Sequence, residues 1–203
     1  RFWIILFKTI LSKLYHWKIY VVGSVEYQYP NHLFQAGYFL DKKYYDENTI
    51  DFKHLLLSEK NQSLLKDIQN SNSVGVHIRR GDYMTKQNLV IFGNICTQKY
   101  YHDAIRIITE KVNDAVFYVF SDDISWVQTH LDIPNAVYVN WNTGESSIYD
   151  MYLMSSCKYN IIANSTFSYW AARLNKKTNM VIYPSKWYNT FTPDIFPESW
   201  CGI

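Results

Sequence analysis

From residue 74 onward the chain repeats one pattern: a short Val/Ile/Phe run, a stretch with apolar residues at helical spacing, then another run. "VGVHI" (74–78) alternates as a strand does, and "YYHDAIRIITEKV" puts Tyr101, Ala104, Ile105, Ile108 and Val112 on one helical face. "AVFYVF" (115–120) predicts a second strand, 123–130 a helix and "AVYV" (136–139) a third strand. A helix near 146–157, a strand "NIIA" (160–163), a helix from about 166 to 175 and a last strand "MVIYP" (180–184) complete the series. Strands and helices alternating at this length predict an α/β fold, a Rossmann-like parallel sheet of five strands flanked by helices on both faces.

The first seventy residues are less regular. "RFWIILFKTILSKLYHW" is apolar, but Lys8 and Lys13 interrupt it well short of the ~20 residues that a membrane span needs, so it reads as an amphipathic helix. A strand near "IYVV" (19–22) and a Tyr-rich loop follow, then "SEKNQSLLKDIQNSNS" (58–73), which reads as a helix ending in a linker. The chain therefore divides near residue 70 into a partial N-terminal domain with its linker (1–70) and a C-terminal domain (71–203). It opens at Arg1, directly into an apolar helix, and is expected to be the remainder of a longer protein.

With 48% hydrophobic residues there is ample material for a packed core, and a net charge of +2 supplies no basic field for nucleic acid. Any anion site must be local. Eighteen Tyr, seven Trp and eleven Phe can fill a core or stack on bases and sugars, and in "YPSKWYNTFTPDIFPESW" packing under the sheet is the favoured reading. Cys96, Cys157 and Cys201 form no CxxC pair, which fits a reduced, cytoplasmic chain, peripheral at most to the inner face of the membrane. No P-loop and no GxGxxG after a strand is present, so P-loop kinases and NAD enzymes lack their fingerprints.

The candidate chemistry gathers at strand ends. In an open parallel sheet, ligands bind beyond the carboxyl ends of the strands. Arg79, Arg80 and Asp82 follow the first predicted strand, "SDD" (121–123) follows the second and "NST" (164–166) the fourth, so all three clusters fall on one sheet edge. Guanidinium groups there can make paired hydrogen bonds to phosphate, and Gly81 permits a sharp turn beside them. The plain alternative is that one arginine pairs with Asp82, a reading weighed most evenly for Arg80. Strand alternation puts His77 and Arg79 on one face, which favours Arg79 as the phosphate ligand; a satisfied core histidine is the default for His77. Asp122 and Asp123 can accept hydrogen bonds from guanine, although one of them should cap the following helix. No His or Cys stands at metal-ligand spacing, so no metal is expected. "NSTF" opens a helix with Phe167, Trp170, Ala171 and Leu174 on its apolar face; its first amides, with the hydroxyls of Ser165 and Thr166, can hold an anion, alongside ordinary capping by Ser165. The "RGD" and "NST" tripeptides, elsewhere adhesion and glycosylation signals, lie inside these loops and are read as parts of the site.

These residues carry a resemblance. "VGVHIRRGDY", "FYVFSDDISWV" and "DMYLMSSCKYNIIANSTFSYWAARLN" followed by "VIYPSKWY", in that order from about 74 to 188, resemble the bacterial inverting α-1,2-fucosyltransferases of glycosyltransferase family 11. "FQAGYFLDKKYYDE" is similar to the family's segment joining its halves. The resemblance implies a GT-B fold of two Rossmann-like domains, GDP-β-L-fucose as donor, a terminal galactose of an oligosaccharide as acceptor, and no required cofactor or metal. It implies that Arg79 binds the β-phosphate with His77 and Arg80 beside it, and that Asp122 or Asp123 contacts guanine. It further implies phosphate contacts from Ser165 and Thr166, with Asn164 and Phe167 adjoining them in the donor site. The family's Gly-rich "GGLGNQ"-type loop has no counterpart here, which again points to an incomplete N-terminal domain.

The implied reaction is an in-line displacement at the fucose anomeric carbon, with Arg79 and the helix N-terminus stabilising charge on the departing GDP. Asp82 is the first candidate for the base that takes the galactose 2-hydroxyl proton and Glu145 a distant second; Asp82 can equally orient Arg79. Rival readings are a fucosyltransferase of different linkage, a transferase using another sugar nucleotide, and a truncated remnant or sugar-nucleotide-binding domain without turnover.

Overall fold

A computed structural model describes residues 51–203 together with the backbone of two short strands, β1 (Tyr20–Val22) and β2 (Phe34–Ala36). The chain divides into two compact units, Arg1–Glu47 with Pro193–Ile195, and Asn48–Thr192 with Phe196–Ile203. In the first unit β1 and β2 pair in parallel, Tyr20 opposite Phe34. The amphipathic helix expected over the first residues lies outside the described residues, as does most of the partial N-terminal domain expected over 1–70.

The second unit is the α/β fold expected from the alternating pattern. Its strands are β3 (Asn72–Ile78), β4 (Ala115–Ser121), β5 (Ala136–Val139), β6 (Tyr159–Ile161), β7 (Met180–Tyr183) and β8 (Cys201–Gly202). They form one all-parallel sheet in the order β5-β4-β3-β6-β7-β8, which is the Rossmann order 3-2-1-4-5-6 counted from β3. Five of these were expected. The sixth, β8, is two residues long and pairs only with β7, too short to carry a period-2 signal.

Strand alternation builds a core on each face. Val74, Val76 and Ile78 point to one side, where helix α3 (Gln98–Lys111) lays down Tyr101, Ala104, Ile105 and Ile108. The Thr97 side chain caps α3 by accepting from the Tyr100 amide. On the other side Tyr118, Phe120, Leu153, Met154 and Ala171 are buried under α5 (Ser147–Ser155) and α6 (Thr166–Arg173). Gly75 lets α5 close on the sheet, since a Cβ there would lie 2.8 Å from Asn160 Nδ2 and 3.0 Å from Met154 Cγ.

Helix α1 (Glu59–Asn70), which the sequence reading placed on the N-terminal side of a boundary near 70, packs into this second core through Leu64 and Ile68. Two apolar residues one turn apart suffice to dock it, and that is a weak signal in so polar a segment. Its buried Asn61 bonds the Trp141 indole and Asn142 after β5, and Asn142 in turn donates to Asp150 of α5 at 2.7 Å. The C-terminal aromatic segment packs as expected: Trp187 is buried and Tyr183 stacks on Phe196 with ring centroids 3.9 Å apart.

Candidate active site at the switch point of the sheet

The order of strands reverses direction between β3 and β6, and in open parallel sheets the loops leaving the strands at such a switch point diverge and leave a crevice for ligands. Register decides what meets at its rim. β3 and β4 pair residue for residue from Asn72–Ala115 to Ile78–Ser121, so Arg79 and Arg80 emerge level with Asp122 and Asp123. The three polar clusters thus sit on the adjacent strands β4, β3 and β6, at one edge.

Arg79 bridges two carboxylates. Its Nη1 lies 2.7 Å from Asp122 Oδ2 and its Nη2 donates to Asp82 Oδ1. Arg80 makes different contacts: its amide donates to Asp122 Oδ1 at 2.9 Å, its Nε to Asp123 Oδ2 at 3.2 Å, and its guanidinium lies 3.7 Å from the centre of the Trp126 ring. The partner of Asp82 is therefore Arg79, and the pairing considered for Arg80 is made with Asp123. Gly81 is required by this close approach, because a Cβ would fall 2.4 Å from Asp122 Oδ2. The Arg79 side chain is 33% exposed and Asp82 57% exposed, so their ion pair contributes about 0–1 kcal/mol. Such a pair is readily exchanged for a phosphate, whose charge-assisted hydrogen bonds contribute roughly 1.5–3 kcal/mol.

Asp123 is the capping residue foreseen for one of the two acids. Its Oδ1 accepts from the Trp126 amide at 3.1 Å and starts helix α4 (Ile124–His130), while its Oδ2 holds Arg80. Both oxygens are committed to the fold. Asp122 faces the arginine loop with both of its own.

His77 is 5% exposed, its Nδ1 has no hydrogen-bond partner, and its ring lies against Phe167 with centroids 5.0 Å apart. The default of a satisfied core histidine does not hold. Burial, reinforced by the Arg79 guanidinium, pushes its imidazolium down to about 3, so the ring is neutral at ordinary pH.

Across the crevice, Ser165 occupies the N-cap position of α6, yet its side chain makes no cap hydrogen bond. The side chains of Ser58, Thr85, Thr97 and Asp123 do cap α1, α2 (Lys86–Phe92), α3 and α4. The first-turn amides of α6 therefore receive no hydrogen bond from the N-cap side chain, a setting suited to an anion. Ordinary capping by Ser165 is not what the structure holds. Thr166 and Phe167 are partly exposed beside it.

Asn164 has a different place from the one expected. It is 2% exposed, and its Nδ2 donates to the carbonyls of Trp187 (3.0 Å) and Phe92 (3.3 Å), while Oδ1 accepts from the Cys96 thiol at 3.3 Å. A side chain tied on three sides holds the loops together, with both of its amide donors committed to backbone carbonyls. Glu145 lies exposed in the turn Gly144–Ser146 after β5, at the same sheet edge. Among the described residues no group of three His, Cys, Asp or Glu could hold a metal ion, and no helix is long and apolar enough to cross a membrane.

The sequence profile of glycosyl transferase family 11 matches residues 6–203. The chain belongs to this family. It is 35% identical over 196 residues to an alpha-1,2-colitosyltransferase of Escherichia coli, a match covering 89% of this chain and 63% of that protein. The O-antigen biosynthesis glycosyltransferase WbnK of Escherichia coli is 44% identical over 122 residues, 59% of this chain and 40% of WbnK. Galactoside alpha-(1,2)-fucosyltransferase 2 of Pongo pygmaeus is 28% identical over 163 residues, 74% and 48% of the two chains. The chain thus spans between 40% and 63% of the length of these relatives. Among solved structures, fucosyltransferase NodZ from Bradyrhizobium matches 58% of this chain and 42% of its own, with a TM-score of 0.40 and 18% identity.

Within this family 11 chain, three neighbours of the site escaped the sequence reading. Trp126 stands three residues after the capping Asp123, and that spacing is its only sequence signal. Tyr83 ends the "HIRRGDY" stretch, and Cys96 carries no pattern at all.

Proposed function

We propose that this family 11 chain transfers L-fucose from GDP-β-L-fucose, with inversion, to the 2-hydroxyl of a terminal galactoside. The observation that carries the reading is the crevice itself. Two guanidinium groups and a helix N-terminus without a side-chain cap face each other across the switch point, an arrangement suited to a nucleoside diphosphate.

In this mechanism the galactose O2 attacks the anomeric carbon as the bond from that carbon to the β-phosphate oxygen breaks. The electron pair leaves with GDP, and the Arg79 guanidinium and the α6 amides stabilise the charge that collects there. The transferred proton goes to a carboxylate, for which Asp82, held by Arg79 and well exposed, is better placed than Glu145. Replacing Asp82 with Asn is expected to lower turnover while leaving GDP affinity within a few-fold; retained turnover with weakened affinity would assign it to orienting Arg79 instead. Asp122 or Asp123 contacts guanine in this reading; each holds an arginine and would exchange one of its present hydrogen bonds for the base. The reaction needs no metal in this reading, and a cytoplasmic setting suits three free cysteines.

A second donor is favoured by a specific finding, the 35% identity to a colitosyltransferase. Colitose is the 3-deoxy counterpart of fucose, so the same diphosphate site serves both sugars. Incubation with GDP-fucose or GDP-colitose and a β-galactoside, followed by measurement of acceptor-dependent GDP release, tests the reading. Release with GDP-fucose and a 2-linked product are expected. Release with GDP-colitose alone would move the assignment to colitosyl transfer, and release with neither would contradict it.

A further inference from the structure

A side-chain hydrogen bond joins the two sides of the crevice. Tyr83, in the turn Gly81–Met84 that carries the arginine loop forward, donates its phenol to the carbonyl of Asn164 at 2.9 Å. That carbonyl belongs to the residue just before Ser165 and the α6 N-terminus. It is a rigid acceptor, because the Asn164 side chain is fastened to Phe92, Trp187 and Cys96, and its amide donates to the Cys96 sulfur at 3.4 Å. The ring of Tyr83 reaches the same anchor by stacking on Phe92, centroids 4.5 Å apart and planes 14° from parallel. On its other side the Arg79 guanidinium lies 5.5 Å from the Tyr83 ring centre.

We propose that Tyr83 is a positioning residue: its hydroxyl latches the arginine loop to the α6 N-terminal loop and so sets the span between Arg79 and the α6 amides. This rests on the nucleotide-diphosphate reading of the crevice and adds the residue that fixes its width. The turn Gly81–Met84 contains no buried residue, so packing alone does not hold it. Partial burial of its hydroxyl raises the phenol above its usual range, which keeps it a hydrogen-bond donor.

The test is Tyr83→Phe, which deletes the hydroxyl and keeps the ring on Phe92. Tyr118→Phe is the control, since it loses a comparable phenol contact to Ser71 (3.1 Å) in mid-sheet, away from the crevice. Two measurements are read in the 203-residue chain. Amide hydrogen exchange without ligand is expected to accelerate over residues 164–168 in Tyr83→Phe alone. GDP titration is expected to show affinity about tenfold weaker in Tyr83→Phe and unchanged in Tyr118→Phe, the effect of one lost hydrogen bond. Unchanged exchange, or faster exchange with unchanged GDP affinity, overturns the proposal. Should the parent chain bind no GDP, the nucleotide reading fails instead, and the exchange measurement decides the latch by itself.

Discussion

The two loops that face each other across the crevice are built on opposite principles. The loop of Arg79, Arg80 and Asp82 stands partly in solvent and is ordered by ion pairs with Asp82, Asp122 and Asp123. The loop of Asn164 and Ser165 is buried and ordered by neutral hydrogen bonds to backbone carbonyls. Exposed charge pairs contribute little to stability, and buried amide contacts contribute much more once their loss leaves carbonyls unpaired. One side is therefore arranged to exchange partners and the other to stay fixed, which is what a site needs if a charged ligand is to replace an internal carboxylate.

The largest effect that can break this comparison is acid destabilisation through His77, which lies beneath both loops. Its imidazolium titrates at 6.5 when unperturbed and at about 3 in the fold, so between those values the unfolded chain takes up the proton. Stability from its neutral burial is complete above about pH 6.5 and is lost as pH falls toward 3, at about 1.4 kcal/mol per pH unit. Asp150 works in the other direction. Burial pushes its carboxyl from 3.8 up to about 7, so its contribution is complete below 3.8 and is lost as pH rises through 7. Between pH 3.8 and 6.5 the two contributions oppose each other, so denaturant unfolding across pH should find stability rising more steeply with pH in Asp150→Asn and falling with pH in His77→Gln. A parent-like acid slope in His77→Gln would contradict the buried neutral ring.

Next in size is Asn164→Ala. It strips the carbonyls of Phe92 and Trp187 of a donor and is expected to cost about 2–4 kcal/mol, a fall in Tm of roughly 6–12 °C. Arg79→Ala, its counterpart on the other loop, should move Tm by no more than about 3 °C. Equal losses in a thermal melt would erase the distinction between an exchangeable side and a fixed one. Below Asn164→Ala stands Asp123→Ala, which removes the cap of α4 and the Arg80 partner for about 1–2 kcal/mol. Its Tm should fall by roughly 2–6 °C, whereas Asp122→Ala, which caps nothing, should fall less.

The same contrast explains what could be read from the chain. Strands β3 to β7 are legible because period-2 runs give way to helical spacing, and a parallel sheet built from that alternation places Arg79, Asp122 and Ser165 on one edge. The arginine loop was legible because its chemistry resides in side-chain charge. Asn164 was misread because an amide beside Ser165 and Thr166 looks like a ligand group, and only tertiary structure reveals that carbonyls from residues 92 and 187 consume it. Arg79 meets Asp82 through proximity in sequence, whereas its contact with Asp122 and that of Arg80 with Asp123 follow from the register of β3 and β4. Helix α2 escaped notice because its apolar residues, Leu89 to Phe92, run consecutively instead of recurring at helical spacing, and none of them is buried.

The central claim is that the crevice holds a nucleoside diphosphate through Arg79. Calorimetric titration of the 203-residue chain with GDP tests it most directly, with GMP and Arg79→Ala as comparisons. The account predicts GDP binding that weakens about 30-fold or more for GMP and for Arg79→Ala, in keeping with the loss of at least one charge-assisted contact. Equal affinity for GDP and GMP, or binding undiminished in Arg79→Ala, would contradict it.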